Sequence, residues 1–161
     1  PLDRRGRAMK PTLFLTNWSS PSLMGPGRRW SIMAAPRRWE RGDGVVRDFV
    51  PPLVLLRDVQ AARVTTGFYF VELRRLWTRA ERQWTDLLDG NPFAPSRLLA
   101  AEYPRPGVEE QGAVVRDGDS LLCACARSAA LAGRCHRATA VPFLTRAGWR
   151  IVLDGVEQET R

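Results

Sequence analysis

Lysine is almost absent from this sequence: Lys10 stands alone among 25 basic residues, and the others are arginine. A GC-rich genome produces that bias by itself. The formal charge of +8 and the pI near 10.8 suit a polyanionic partner, but the bias weakens the inference. The arginine pairs, Arg4-Arg5, Arg28-Arg29, Arg37-Arg38 and Arg74-Arg75, are also spread along the chain and not concentrated in one run. Cysteine occurs three times, an odd number and too few for a disulfide scaffold, so reduced thiols are expected, free to ligate, react or pack. No apolar run reaches about eighteen residues, and no charged start precedes a short apolar stretch with a small-residue cleavage site, so neither a membrane span nor a secretory signal is expected. A cytoplasmic protein with no membrane partner follows as the expectation. Internal repeats and low-complexity tracts are also missing.

What is present suits one domain. A chain of 161 residues with 44% apolar content can bury a proper core. Residues 1–10 are polar and aperiodic, which predicts a disordered tail with Met9 as a candidate natural start; residues 11–157 form the expected domain. TLFLT (12–16) reads as a buried first strand followed by a long loop, NWSSPSLMGPGRR. WSIMA (30–34) suits a short strand or a helical turn, and a strand is expected around VVRDFV (45–50). Pro51-Pro52 can open a helix at LVLLRDVQAA. From Phe68 to Leu88 apolar residues recur at three-to-four spacing, through Phe70, Leu73, Leu76, Trp77, Ala80 and Trp84, so an amphipathic helix is predicted with its tryptophans in the core. Proline and glycine mark 91–118 as a connecting region, with a short helix at SRLLAAEY (96–103). SLLCACA (120–126) predicts a buried strand, RSAALAGR a loop, His136 to Ala147 a helix stopped by Gly148, and WRIVLDG a further strand. Pro142 predicts a kink or a later helix start. Strand, loop, helix and strand make a crossover unit, hence an α/β fold with a mostly parallel central sheet flanked by helices.

Every cysteine and the single histidine fall within fourteen residues: Cys123, Cys125, Cys135 and His136. Alternate residues of a strand share a face, so Cys123 and Cys125 are expected to point the same way. Cys135, His136 and Arg137 stand where a loop enters a helix beyond the carboxyl end of that strand. Ligands of open α/β sheets bind at such ends, and helix N-termini favour anions. At the end of the first strand, Asn17 offers both donor and acceptor groups, or else starts an Asx turn, and Ser19 lies beside it.

Four readings compete for this constellation. The thiols are small buried strand residues, with His136 and Arg137 bracing loops. Alternatively three cysteines and a histidine bind zinc, although ordinary sites use two pairs of ligands separated by two to four residues, and here Cys135 and His136 are adjacent. In the third reading Cys135 is a nucleophile activated by the helix terminus, with His136 as its base. In the fourth, Cys135, His136 and Arg137 bind an anionic or heterocyclic group.

The strand ending in T-N, the downstream WSIMA and the block LLCACARSAALAGRCHR, followed by a helix and GWRIVLDG, resemble the bacterial and phage family called domain of unknown function 488. The resemblance implies a compact, Rossmann-like α/β domain without an established activity. Its recurring positions correspond to Asn17, Cys123 and Cys135-His136-Arg137. Relatives commonly carry an acidic residue where this chain has Cys125, which counts against an essential thiolate there. The combined expectation is a protein that binds an anionic or nucleotide-like ligand through Asn17, Ser19, Cys123 and Arg137, with Cys135 and His136 as catalytic candidates and no metal or cofactor. The alternatives are a non-catalytic basic module associating with DNA or RNA, where reversing Arg37-Arg38 or Arg74-Arg75 weakens binding, and a zinc-stabilised domain.

Overall fold

The computed structural model describes residues 9–40, 42–46, 49–87, 100–102 and 113–159. Most of the expected N-terminal tail, the end of the long helix beyond Leu87 and most of the connecting region lie outside these residues.

The apolar, β-branched run near the start forms strand β1 (Thr12–Asn17), one residue longer than TLFLT. β2 (Arg29–Ser31) takes the first part of WSIMA, and β3 (Gly44–Val46) the first part of the VVRDFV stretch. Helix α1 (Leu53–Gln60) starts directly after Pro51-Pro52, and α2 (Thr66–Leu87) realises the amphipathic period. Then come β4 (Ala100–Glu102), β5 (Ala113–Val114), β6 (Ser120–Cys123), α3 (Arg127–Leu131), α4 (His136–Arg146), β7 (Arg150–Leu153) and β8 (Val156–Glu157). The strands form one sheet in the order β5-β4-β3-β2-β6-β1-β7-β8. Its five central strands, β3-β2-β6-β1-β7, are mutually parallel; β4, β5 and β8 add antiparallel margins. The α/β class and mostly parallel sheet are as the sequence predicts.

Side chains alternate between the faces of a sheet. Leu13, Leu15, Leu121, Cys123, Ile151 and Leu153 therefore share one face, and all belong to a single core with Tyr69, Phe70, Leu73 and Trp77 of α2 and Ala140, Phe143 and Leu144 of α4. Trp77 is its centre, meeting Phe49 at 5.2 Å and Phe143 at 5.7 Å between ring centroids, both edge to face. The expected core role holds for this tryptophan.

Three local expectations change. Part of SRLLAAEY is the strand β4, because Ala101 and Glu102 pair with Val46 and Val45 and Ala100 and Ala101 pair with β5; ladder hydrogen bonds outweigh the helix propensity of Ala and Glu. RSAAL is the short helix α3, which places Ala130 in the core. Pro142 lies inside α4, and the helix still begins at His136. The ring faces outward, so the missing N–H costs one backbone bond without a clash in the core. Gly148, at φ +99°, follows the helix as expected. Among the described residues no helix is long and apolar enough to cross a membrane.

Candidate metal centre

β6 ends at Cys123, and the chain bends at once, so Cys125 is not a strand residue. The expected shared face is therefore replaced by a turn in which the Cys125 N–H donates to Cys123 Sγ at 3.4 Å. α3 then carries the chain out and back, and Cys135 returns in extended conformation (φ −141°, ψ 142°) as the N-cap of α4. Its carbonyl accepts the first helical bond from Thr139 N at 3.0 Å. His136 and Arg137 are the first two helical residues. Because Cys135 is extended and His136 helical, these neighbours project from different backbone geometries, and both reach the end of β6.

The result is a buried tetrad. One ligand atom from each of Cys123, Cys125, Cys135 and His136 lies within 4.8 Å of all the others. Cys123 Sγ is 3.6 Å from Cys135 Sγ, and Cys125 Sγ is 3.9 Å from His136 Nδ1. Cys123, Cys135 and His136 are buried, and Cys125 is partly exposed. Among the described residues His136 Nε2 has no hydrogen-bond partner. Burial dominates and holds the imidazole below its ordinary pKa, although the charge of Cys123 and, less strongly, the Ile32 backbone favour the protonated ring.

Arg137 binds the cluster from beneath. Its NH1 donates to Cys123 Sγ and to the Cys125 carbonyl, both at 2.8 Å, and stands 3.6 Å from Cys135 Sγ. Its NH2 donates to Asp154 Oδ2 at 2.9 Å and reaches the Ala126 carbonyl at 3.4 Å. Burial is the largest single influence and works against the guanidinium charge, but the fields of Cys123 and Cys135 and the hydrogen bonds to Asp154 and Cys123 together outweigh it and keep the group protonated. Asp154 is held by Thr16, whose Oγ1 donates to Asp154 Oδ1 at 2.9 Å, and by its own N–H on the Leu15 carbonyl at 2.8 Å.

The three thiols are unequal. Hydrogen bonds from Cys125 and then Cys135, assisted by His136 and Arg137, pull the Cys123 thiol down to about 2. Facing that thiolate, Cys125 is pushed up to about 11 and Cys135 is pushed up strongly. Cys123 is thus the most readily ionised of the three, and further ionisation of the set calls for a cation.

Of the other sequence candidates, Asn17 lies beside Cys123 in the β1–β6 register. It is buried, and its Oδ1 accepts from Ser19 N at 3.0 Å, the Asx turn that was the alternative reading. Ser19 is exposed. Arg137, expected to meet an incoming anion, is fully buried, and its two terminal nitrogens are engaged from within by Asp154, Cys123 and Cys125, while its Nε has no hydrogen-bond partner among the described residues. Asp154 is a partner of the site that the sequence reading missed. The available signal for Asp154 was its position in the L-D-G turn at the carboxyl end of a predicted parallel strand.

No protein-family model matches the chain, and neither a curated protein nor a solved structure does.

Proposed function

We propose that this protein is a zinc-binding α/β domain whose metal is held by Cys123, Cys125, Cys135 and His136. The observation that carries this reading is the mutual approach of the four ligand atoms to within 4.8 Å. With Zn–S of about 2.3 Å and Zn–N of about 2.0 Å, neighbouring ligands of a tetrahedral site stand roughly 3.5–3.8 Å apart. The separations of 3.6 Å and 3.9 Å already approach that spacing. A filled Cys3His set leaves no open coordination position, which favours a structural role over a catalytic one.

Charge agrees with this. Three thiolates, a neutral imidazole and a divalent ion sum to one negative charge, which the Arg137 guanidinium at 2.8 Å from Cys123 Sγ offsets. Such hydrogen bonds to ligand sulfur are the usual outer support of a metal centre. The inward engagement of Arg137 and His136 argues against an anionic-ligand pocket at the same residues. The four ligands come from a strand end, a loop, a helix cap and a helix start, so the ion would pin β6 to α4. That position, at the carboxyl ends of parallel strands, also supports a Rossmann-like organisation.

The test is elemental analysis of protein purified without chelators or a histidine tag, followed by cobalt substitution. About one zinc per chain is expected, with thiolate-to-cobalt charge-transfer bands and tetrahedral d–d bands. Cys135→Ser and His136→Ala should each lower the bound metal. A chain that takes up neither zinc nor cobalt when supplied with them overturns the reading.

A further inference from the structure

Away from the thiol cluster, the β2–β3 connection exposes an aromatic side chain among exposed arginines. A single 3-10 turn, Arg38–Glu40, carries Trp39 outward, and this residue is 60% exposed. The turn is firmly held. Glu40 is buried, its Oε2 accepts Arg37 N at 2.8 Å, and its own N–H returns to the Arg37 carbonyl at 2.9 Å. The indole rests edge to face on Trp18, with ring centroids 6.3 Å apart and planes at 79°, which supports one edge and leaves the ring in reach of solvent. Behind Trp18 stands Gly42, at φ +54°; a Cβ there would meet the Trp18 ring at 2.8 Å and also the Arg29 carbonyl, so the backbone has to be glycine for the ring to lie this close to β2.

Arg29, Arg37 and Arg38 are exposed around these rings. Among the described residues neither Arg37 nor Arg38 carries a carboxylate partner, whereas Arg63, Arg75, Arg146 and Arg150 each pair with one. A fixed, exposed indole beside exposed guanidinium groups matches what unstacked bases and their phosphates require: a π-face for the base, charge for the backbone. A duplex buries its base faces and cannot use the indole.

We infer that Trp39, supported by Trp18 and flanked by Arg29, Arg37 and Arg38, is a binding surface for single-stranded nucleic acid. The surface does not depend on the metal reading, and its chemistry is common to DNA and RNA. Binding is non-covalent: one base stacks on the Trp39 ring, and adjacent phosphates pair with the arginines.

The experiment is fluorescence anisotropy with fluorescein-labelled oligothymidylate and oligouridylate of about 20 nucleotides, at about 50 mM and 200 mM salt. Trp39→Ala should weaken binding by about 5- to 100-fold with an unchanged far-ultraviolet dichroism spectrum, and Trp39→Phe should recover most of the loss. Arg37→Ala with Arg38→Ala should lower the slope of log affinity against log salt by about 1.4. Arg74→Ala with Arg75→Ala, on α2, should leave binding as it is. Absence of binding by the wild type overturns the proposal. So does wild-type affinity in Trp39→Ala, equal weakening by both arginine pairs, or duplex binding as tight as single-strand binding.

Discussion

Arg137 and Asp154 form an ion pair of 2.9 Å with both side chains wholly removed from solvent. Seventeen residues separate them in sequence. The pair joins the first turn of α4 to the turn after β7, and Thr16 of β1 completes it through the second carboxylate oxygen. Two charges leave water at considerable cost, and what compensates is the number of hydrogen bonds that each makes on the far side: sulfur and carbonyl oxygen for Arg137, hydroxyl and backbone N–H for Asp154. The ion pair thus acts as a bracket under the thiol cluster.

Breaking one side of the bracket should be costly. Asp154→Ala leaves a buried guanidinium without its carboxylate and places alanine at φ +47°, a conformation that asparagine and aspartate tolerate better. A loss of about 3–5 kcal/mol is expected. Asp154→Asn keeps an acceptor for Thr16 and the tolerance of positive φ, so its loss should be smaller. Urea unfolding of the two variants, at matched slope, checks the order; equal stability of Asp154→Ala and the wild type would contradict the bracket.

Two glycines give opposite expectations for the same substitution. A Cβ on Gly25 would collide with the Gly118 carbonyl and the Phe14 ring, and its N–H also donates to Ser120 Oγ at 2.9 Å. Gly25→Ala should therefore destabilise by about 1–3 kcal/mol through overpacking. Gly67 lies in the first turn of α2, where the nearest atom to a Cβ is Thr65 Oγ1 at 3.9 Å. Gly67→Ala should stabilise by about 0.5–1 kcal/mol, because the unfolded chain loses more freedom than the helix does. Thermal unfolding of both variants beside the wild type measures the contrast.

The elements legible in the sequence were those whose apolar pattern is also the pattern of their burial. β1 and β6 are buried nearly throughout, and α2 repeats its buried positions at Phe70, Leu73 and Trp77. β4 was hidden because Ala and Glu carry no strand signal, and α3 because five residues are too few to show a period. The site was legible as a group of residues but not as an arrangement. Treating Cys123 and Cys125 as alternate strand residues failed where the strand stops, and the ligand-pair spacing that weighed against a metal site does not take in the change from extended to helical backbone between Cys135 and His136, which lets both neighbours reach the end of β6. Arg137 points to an incoming anion when read in sequence because nothing local reveals that its partner, Asp154, arrives from another strand end.

Metal loading supplies the last expectation. An ion bound only by the folded chain adds RT ln(1 + [L]/Kd) to its stability, about 4 kcal/mol when free zinc exceeds Kd by roughly a thousandfold. Chelation should lower the unfolding free energy by an amount of that order, and added zinc should restore it. Cys125 is the most exposed of the four side chains of the tetrad and sits in the bend, so it can be exchanged with the least disturbance of the core. Aspartate oxygen is an accepted zinc ligand, whereas alanine offers none. Cys125→Asp should therefore keep about one zinc per chain at reduced affinity, while Cys125→Ala should lose the ion at the same chelator concentration. Competition with a chromogenic chelator separates the two variants. Identical behaviour would mean that position 125 does not touch the metal, and the centre would then reduce to Cys123, Cys135 and His136.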